Sequence, residues 1–503
     1  MQPPTSPPAE HSASPLIVGG QQTLRAPLLR ILSDDQLKEL HWATLEVLER
    51  TGIYLDHAEA REILRGAGAR VERERVYIPS FLVEQALRTA PSNVTIYRRT
   101  GEPLAYLGGN RVYFASSCES FWILDPATGE RRRFRSEDYR LTARVAEASP
   151  YIVSMGGGGH ASDFPVEHRL KVSFKHCTTH STKAIQISAT DGHSLREVVE
   201  MATIVAGGQE ELRARPFIIP RVEPTAPLCH VRGAVEMLLL TARLGLPVIC
   251  YSMTAAGSTA PSTEAGALVI SNADVLSGLV MHQLVRPGAP FIYGTMPGML
   301  DMSATVWAYG SPDFFLLTAA ATELCHHYNL PMFGTAGCGD AKEVDLQCAT
   351  EVALSCLLAA QTGANLVHNV GLLDSAMMMS PAQIVLADEI LGMVAHMVRG
   401  VEVSPQELQL GLIDKVGPRG EFLTADHTFS NFKRFWYPQV FERRRYDVVQ
   451  KAGRQSLLDR LNARTIEISE RVQVEPLPNE VTREMEAREQ TWRADASIPT
   501  GRD

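Results

Sequence analysis

The chain has 503 residues, 45% of them hydrophobic and 21% charged, with a net charge of −9 at neutral pH. That length accommodates a large barrel with extensions or two to four smaller domains, and the balance is too apolar for disorder and too acidic for a broad nucleic-acid surface. The apolar stretches are broken by Asn272 and Asp274, or by Gln361 and Asn365, so no run reaches the roughly 18 residues that span a bilayer.

Residues 1–27, rich in Pro, Ser and Gln, lack a basic start and an apolar h-region. They read as a tail without fixed conformation and not as a secretory signal. Residues 28–110 read as a helical lead-in with a small β element. Ser33 is an N-cap, Asp34 and Asp35 follow it, Leu37, Leu40, Leu45 and Leu48 repeat at helical spacing, and Gly52 is a stop signal. Further helices are predicted over 57–66 and 79–90, then short β pieces in VTIYRR and LAYLGG.

From Val112 the chain becomes rhythmic. Apolar runs of strand length begin near Val112, Tyr151, Ala184, Phe217, Pro247, Phe291, Met332 and Asn365. Most intervals hold one amphipathic helix, and the first also holds a hairpin in FWILDPATGERRRF ahead of a helix at 136–148. Eight buried strands, each followed by a helix, predict an α/β fold of the (β/α)8 TIM barrel type over 111–400. An open doubly wound sheet would call for a glycine fingerprint after the first strand, and there is none. Residues 401–475, including HTFSNFKRFWYPQV, read as a helical C-terminal cap, and 476–503 as a loose charged tail. The eight cysteines contain no CxxC pair, which predicts reduced thiols and a cytoplasmic location.

In such a barrel the site lies at the C-terminal strand ends. These are SSCES, MGGGGH, ATDGH, RVEP, MTAAGSTAP, GTMPGMLD, GTAGCGDAK and HNVGLLDS. Their glycines imply tight turns and close backbone approach, but neither phosphate-loop pattern occurs.

The run YSMTAAGSTAPSTEAGALVISNADVLSGLVMHQLVRPGAPFIYG, with NLPMFGTAGCGDAK and HTFSNFKRFWYP, resembles the trimethylamine methyltransferase family over about 30–475. The resemblance implies a barrel enzyme that moves a methyl group from an amine to the cobalt of a corrinoid protein. Founding members carry pyrrolysine. The ordinary residues here resemble the branch without it, which acts on quaternary amines such as glycine betaine. No cofactor or metal is then bound directly, the corrinoid arrives on a partner protein, and no acid–base pair is required, because a quaternary nitrogen leaves as a neutral tertiary amine. Neither nucleic acid nor membrane is an expected partner, whereas a homo-oligomer is.

Binding a cation calls for aromatic faces. Phe114, Tyr251 and Tyr293 at strand ends, with Trp122 and Trp307 in loops, are the candidates. A betaine carboxylate calls for donors, for which His368, Asn369 and Thr335 are placed at strand ends. Glu119 and His160 follow strands one and two as sources of counter-charge or an orienting hydrogen bond. Cys338, Asp340 and Lys342 lie after strand seven, in the region where the resemblance locates pyrrolysine in relatives. Three other readings stay open: a trimethylamine-specific enzyme, a non-catalytic betaine-binding barrel, and a zinc-dependent methyltransferase using Cys338 with Cys348 or Cys229 with His230.

Overall fold

The computed structural model describes residues 24–25, 28–117 and 120–496. Eight parallel strands close into a barrel: β1 (Arg111–Ser116), β2 (Ile152–Met155), β3 (Ala184–Ile187), β4 (Ile218–Val222), β5 (Val248–Ala256), β6 (Phe291–Asp301), β7 (Met332–Thr335) and β8 (Leu366–Val370). Each pairs with the next, and β8 pairs back onto β1 through Leu366–Tyr113 and Val367–Phe114. The strands are buried on both faces, which is why they read as continuous apolar runs.

Eight helices return along the outside: α1 (Asp138–Ala148), α2 (Val166–His180), α3 (Gly192–Ala206), α4 (Arg232–Leu244), α5 (Glu264–Val285), α6 (Pro312–His327), α7 (Leu346–Thr362) and α8 (Pro381–Val398). Side chains of Asp191, Thr263, Ser311, Asp345 and Ser380 accept from the first-turn amides of α3, α5, α6, α7 and α8. Gly207, Gly245 and Gly363 end α3, α4 and α7 in the left-handed conformation. By length and composition alone α5 and α8 could cross a membrane, but most of each is buried in the helix layer.

The lead-in helix starts at Asp34 with a capping box between Ser33 and Gln36. A four-stranded sheet (Ile53–Leu55, Arg75–Tyr77, Arg70–Glu72) recruits Cys229–His230 from the loop after β4. The predicted hairpin forms between Trp122–Leu124 and Arg131–Arg133, and Met378–Met379 joins it in parallel. It thereby links the loops after β1 and β8.

Two expectations change. Within the N-terminal tail, Leu24 and Arg25 pair antiparallel with Val112 and Arg111; the rest of 1–27 lies outside the described residues. The segment expected to be loose after 476 holds an 18-residue helix, Asn479–Ala496. It is held because Trp492 stacks on His168 at 6.3 Å and Lys175 meets Glu489 at 2.5 Å, both partners on α2.

Candidate active site in the barrel lumen

Strand register sets which side chains face the lumen. Gln186 pairs with Ile219, Arg221 with Ile249, Tyr251 with Gly294, Gly294 with Phe333, and Thr335 with His368. Partnered residues share a face and alternate residues along a strand return to it. One continuous inner surface therefore runs through Gln186, Arg221, Tyr251, Gly294, Phe333 and His368. Gly294 is required there: a Cβ would lie 2.6 Å from Tyr251 Cβ and 3.2 Å from the Phe333 ring.

A compact polar and aromatic cluster results. Arg221 donates from Nη2 to the Tyr251 hydroxyl at 3.0 Å, and that hydroxyl donates to Glu223 Oε2 at 2.8 Å. The guanidinium carbon stands 4.8 Å from the Tyr251 ring centroid and 5.6 Å from that of Phe333. Phe333 meets Tyr251 edge-on at 5.8 Å and stacks on His368 at 4.1 Å. His368 Nδ1 lies 2.8 Å from the Gly334 carbonyl and 3.1 Å from Thr335 Oγ1. A carbonyl only accepts, so Nδ1 carries the proton. Burial first, and the nearby Arg221 charge second, hold the His368 pKa well below the usual imidazole value, so the ring is neutral. Toward β2, Gln186 Nε2 donates to Ser154 Oγ at 3.0 Å.

Of the sequence candidates, Tyr251, Thr335 and His368 therefore meet in the lumen. Tyr293 does not join them. It faces the helix layer, where its hydroxyl donates to Asn272 Oδ1 on α5 at 2.8 Å. Phe114 pairs with Val367, which alternates with inward-facing His368, so its ring also takes the outer side. Trp122 already carries the guanidinium groups of Arg131 and Arg133, 3.9 and 4.4 Å from its ring centroid. Trp307 packs with Tyr309 and Phe314 beyond β6. Asn369, at a left-handed φ of 80°, hydrogen-bonds the Cys338 thiol behind the lumen wall. Glu119 lies outside the described residues.

The loop after β7 is held by its own side-chain contacts. Cys338 is buried and its thiol pKa is raised, by desolvation first. Asp340 accepts from the amides of Tyr309 and Gly310 at 3.1 and 2.8 Å and from Ser375 Oγ at 2.8 Å. It thus ties together the loops after β6, β7 and β8. Lys342 reaches Asp374 at 3.0 Å. His160 lines a hollow of about 200 Å3 at the rim with Phe121, Ser173, Phe174, Thr190 and Gln186, the last of which also belongs to the inner surface. Among the described residues no group of three or more His, Cys, Asp or Glu side chains is arranged to hold a metal ion. Cys229 and His230, one half of the zinc reading, are instead a strand of the lead-in sheet.

The rim exposes large apolar side chains among charged and polar ones such as Glu264, Lys342 and Glu343. Phe121, Val166, Met302, Val306, Leu346 and Met377, all following strand ends, are exposed. Sequence reasoning missed Arg221, Glu223 and Phe333. The first two stand in RVEP, and the readable signal was one arginine within the otherwise apolar run FIIPRV.

A closed parallel barrel with a charged, ring-lined lumen at its C-terminal strand ends defines a (β/α)8 enzyme scaffold. A family model described as Trimethylamine methyltransferase (MTTB) matches residues 8–496. Trimethylamine methyltransferase MttB of Desulfitobacterium hafniense is 33% identical over 455 residues, covering 89% of this chain and 91% of that protein. Glycine betaine methyltransferase of the same species is 33% identical over 428 residues, covering 84% and 89%. Among solved structures, the hydroxylamine complex of MtmB superposes with a TM-score of 0.51 over 93% of this chain and 89% of that one, at 11% identity, which is a likeness of fold. The chain belongs to the trimethylamine methyltransferase family and is a methyltransferase.

Proposed function

We propose that this enzyme, acting in the cytoplasm, moves a methyl group from a betaine-type quaternary amine to a corrinoid carried by a separate protein. The lumen cluster carries this reading. A bare ammonium ion would meet the Arg221 guanidinium with nothing of its own to offset it. A zwitterion brings a carboxylate for Arg221 and presents its quaternary nitrogen to aromatic faces and to the Glu223 carboxylate.

The corrinoid supplies the nucleophile, cobalt(I), on its own protein. The residues of this chain then have three tasks. Tyr251, Phe333 and His368 give the lumen its shape and its π surfaces, and Arg221 orients the carboxylate. Neutral His368 adds no second positive charge. The apolar side chains exposed at the rim offer a partner protein contacts that exclude water from the transfer. Departure of a neutral tertiary amine needs no proton, so the proposed transfer calls for no acid–base pair.

The test is a methyl-transfer screen with reduced corrinoid protein, followed by its absorbance, across trimethylamine, glycine betaine, proline betaine, carnitine and choline. Transfer from carboxylate-bearing quaternary amines is the expected result. Transfer from trimethylamine alone overturns the substrate class. Tight betaine binding without transfer from any amine makes the protein a binding barrel instead.

A further inference from the structure

We infer that the outer face of the hairpin Trp122–Leu124/Arg131–Arg133 is where the corrinoid-bearing protein docks, and that this partner meets it with carboxylates; the partner's identity rests on the function proposed above. The hairpin follows β1, and Met378–Met379 from the loop after β8 joins it in parallel, so it stands at the catalytic end of the barrel. It is fixed there. The Phe121 amide donates to the Met377 carbonyl at 3.2 Å, the Phe134 amide donates to the Phe121 carbonyl at 3.1 Å, and Ser120 bridges to Gly159 after β2. Ile123 and Phe134 on the inner side are fully buried.

The two sides of the hairpin differ in charge. Trp122 pairs with Arg133 and Leu124 with Arg131, so these four side chains share the outer face. The guanidinium carbons of Arg131 and Arg133 stand over the Trp122 ring. Arg132, turned the other way, is neutralised by Asp125 at 3.0 Å and Asp138 at 2.6 Å. The outer arginines are not. Arg131 has Asp374 at 3.8 Å, but Lys342 holds that carboxylate more closely, at 3.0 Å. Among the described residues Arg133 makes no ion pair. Both arginines are exposed, and with Glu130 at the turn set against them the face stays cationic, in a chain of net charge −9.

Composition and position select the occupant. Trp, Phe, Met and Arg are the residues enriched at the centres of protein interfaces, where Lys, Glu and Asp are depleted. Here Trp122, Arg131 and Arg133 adjoin Phe121 and Met377, which are 40% and 43% exposed. Guanidinium groups stacked on an indole are held in one orientation, so their forks are presented ready for bidentate contact with carboxylates. Phe121 also lines the rim hollow that reaches Gln186 of the inner surface, so a protein seated on this face borders the opening of the lumen. A nucleic acid needs a longer basic track than two arginines.

Biolayer interferometry of the full chain against a purified corrinoid protein, with no amine present, tests this. Wild type is expected to bind, with the dissociation constant rising at least tenfold between about 0.05 and 0.5 M salt. The variant R131E/R133E is expected to raise it at least 100-fold with slower association, and R131K/R133K to keep part of the affinity, because charge remains but the planar fork is lost. Circular dichroism and thermal unfolding of both variants are expected to match wild type, since the positions are exposed. Failure of wild type to bind overturns the proposal, and so does wild-type affinity in folded R131E/R133E. Binding of a single-stranded oligonucleotide in place of the corrinoid protein overturns it as well. Betaine binding measured by calorimetry reports on the lumen separately: its absence beside intact docking overturns the substrate class and leaves the docking face standing.

Discussion

Asp274 on α5 accepts the Ser252 hydroxyl at 2.7 Å, and its other oxygen accepts the Leu228 amide at 2.7 Å. Ser252 is the neighbour of Tyr251 on β5, and Leu228 belongs to the loop that begins with Glu223. One fully buried carboxylate thus sets the spacing of the two elements whose side chains meet in the Tyr251–Glu223 hydrogen bond. Burial pushes its pKa up to about 7, against the two hydrogen bonds that lower it. A carboxyl whose folded pKa lies above its unfolded value stabilises most below the unfolded value and loses that contribution as pH rises through the folded one. The stability of wild type relative to D274N is therefore expected to fall from about pH 4 to pH 7 and to level off above, by roughly 4 kcal/mol in denaturant unfolding. A pH-independent difference would remove Asp274 from this role.

Tyr251→Phe keeps the ring but deletes the hydroxyl that links Arg221 to Glu223. Hydrogen bonds to charged groups are worth about 1.5–3 kcal/mol each, so kcat/KM for methyl transfer is expected to drop at least tenfold while the barrel remains folded. Wild-type kinetics in this variant would show that the lumen cluster does not handle substrate.

His282 on α5 is buried against Phe291 at 5.5 Å between ring centroids, and among the described residues its Nε2 has no hydrogen-bond partner. Desolvation brings its pKa down to about 3. A histidine with a depressed folded pKa contributes stability above the unfolded value near 6.5 and loses it as pH falls toward the folded one. His282→Leu is expected to recover about 2 kcal/mol of the loss between pH 7.5 and pH 5. Parallel pH–stability curves for the two proteins would contradict this.

Gly339 has no room for a methyl group. A Cβ there would sit 1.9 Å from Glu351 Oε2, an oxygen that also accepts the amides of Asp340 and Ala341 at 3.0 and 3.2 Å. Gly339→Ala is expected to cost about 1–3 kcal/mol, and adding Glu351→Ala to cost less than the sum of the two single changes. Strict additivity in that double-mutant cycle would mean that the clash is relieved elsewhere.

The barrel was legible because buried parallel strands are uninterrupted apolar runs and because caps such as Asp191 and Ser380 mark where five of the eight helices begin. Facing was not. Tyr251 and Tyr293 stand within the neighbouring strands β5 and β6 in matching apolar surroundings, and only the register shows that one looks into the lumen and the other toward Asn272. Where both faces of a strand are buried, alternation leaves no trace in composition. The final helix did leave a signal that charge density obscured: Glu484–Arg488 and Glu489–Arg493 repeat at a spacing of four and form ion pairs at 2.9 and 2.7 Å.

Strands β5 and β6 stay paired for nine registered residues, from Val248–Phe291 to Ala256–Met299, whereas β2 and β3 have four residues each. At about 3.3 Å per residue the five additional registered pairs add roughly 16 Å of strand. Above Tyr251 the barrel wall is therefore continued by paired backbone, whereas above β2 it is continued by the segment that leads into the hairpin, through the Ser120–Gly159 bridge.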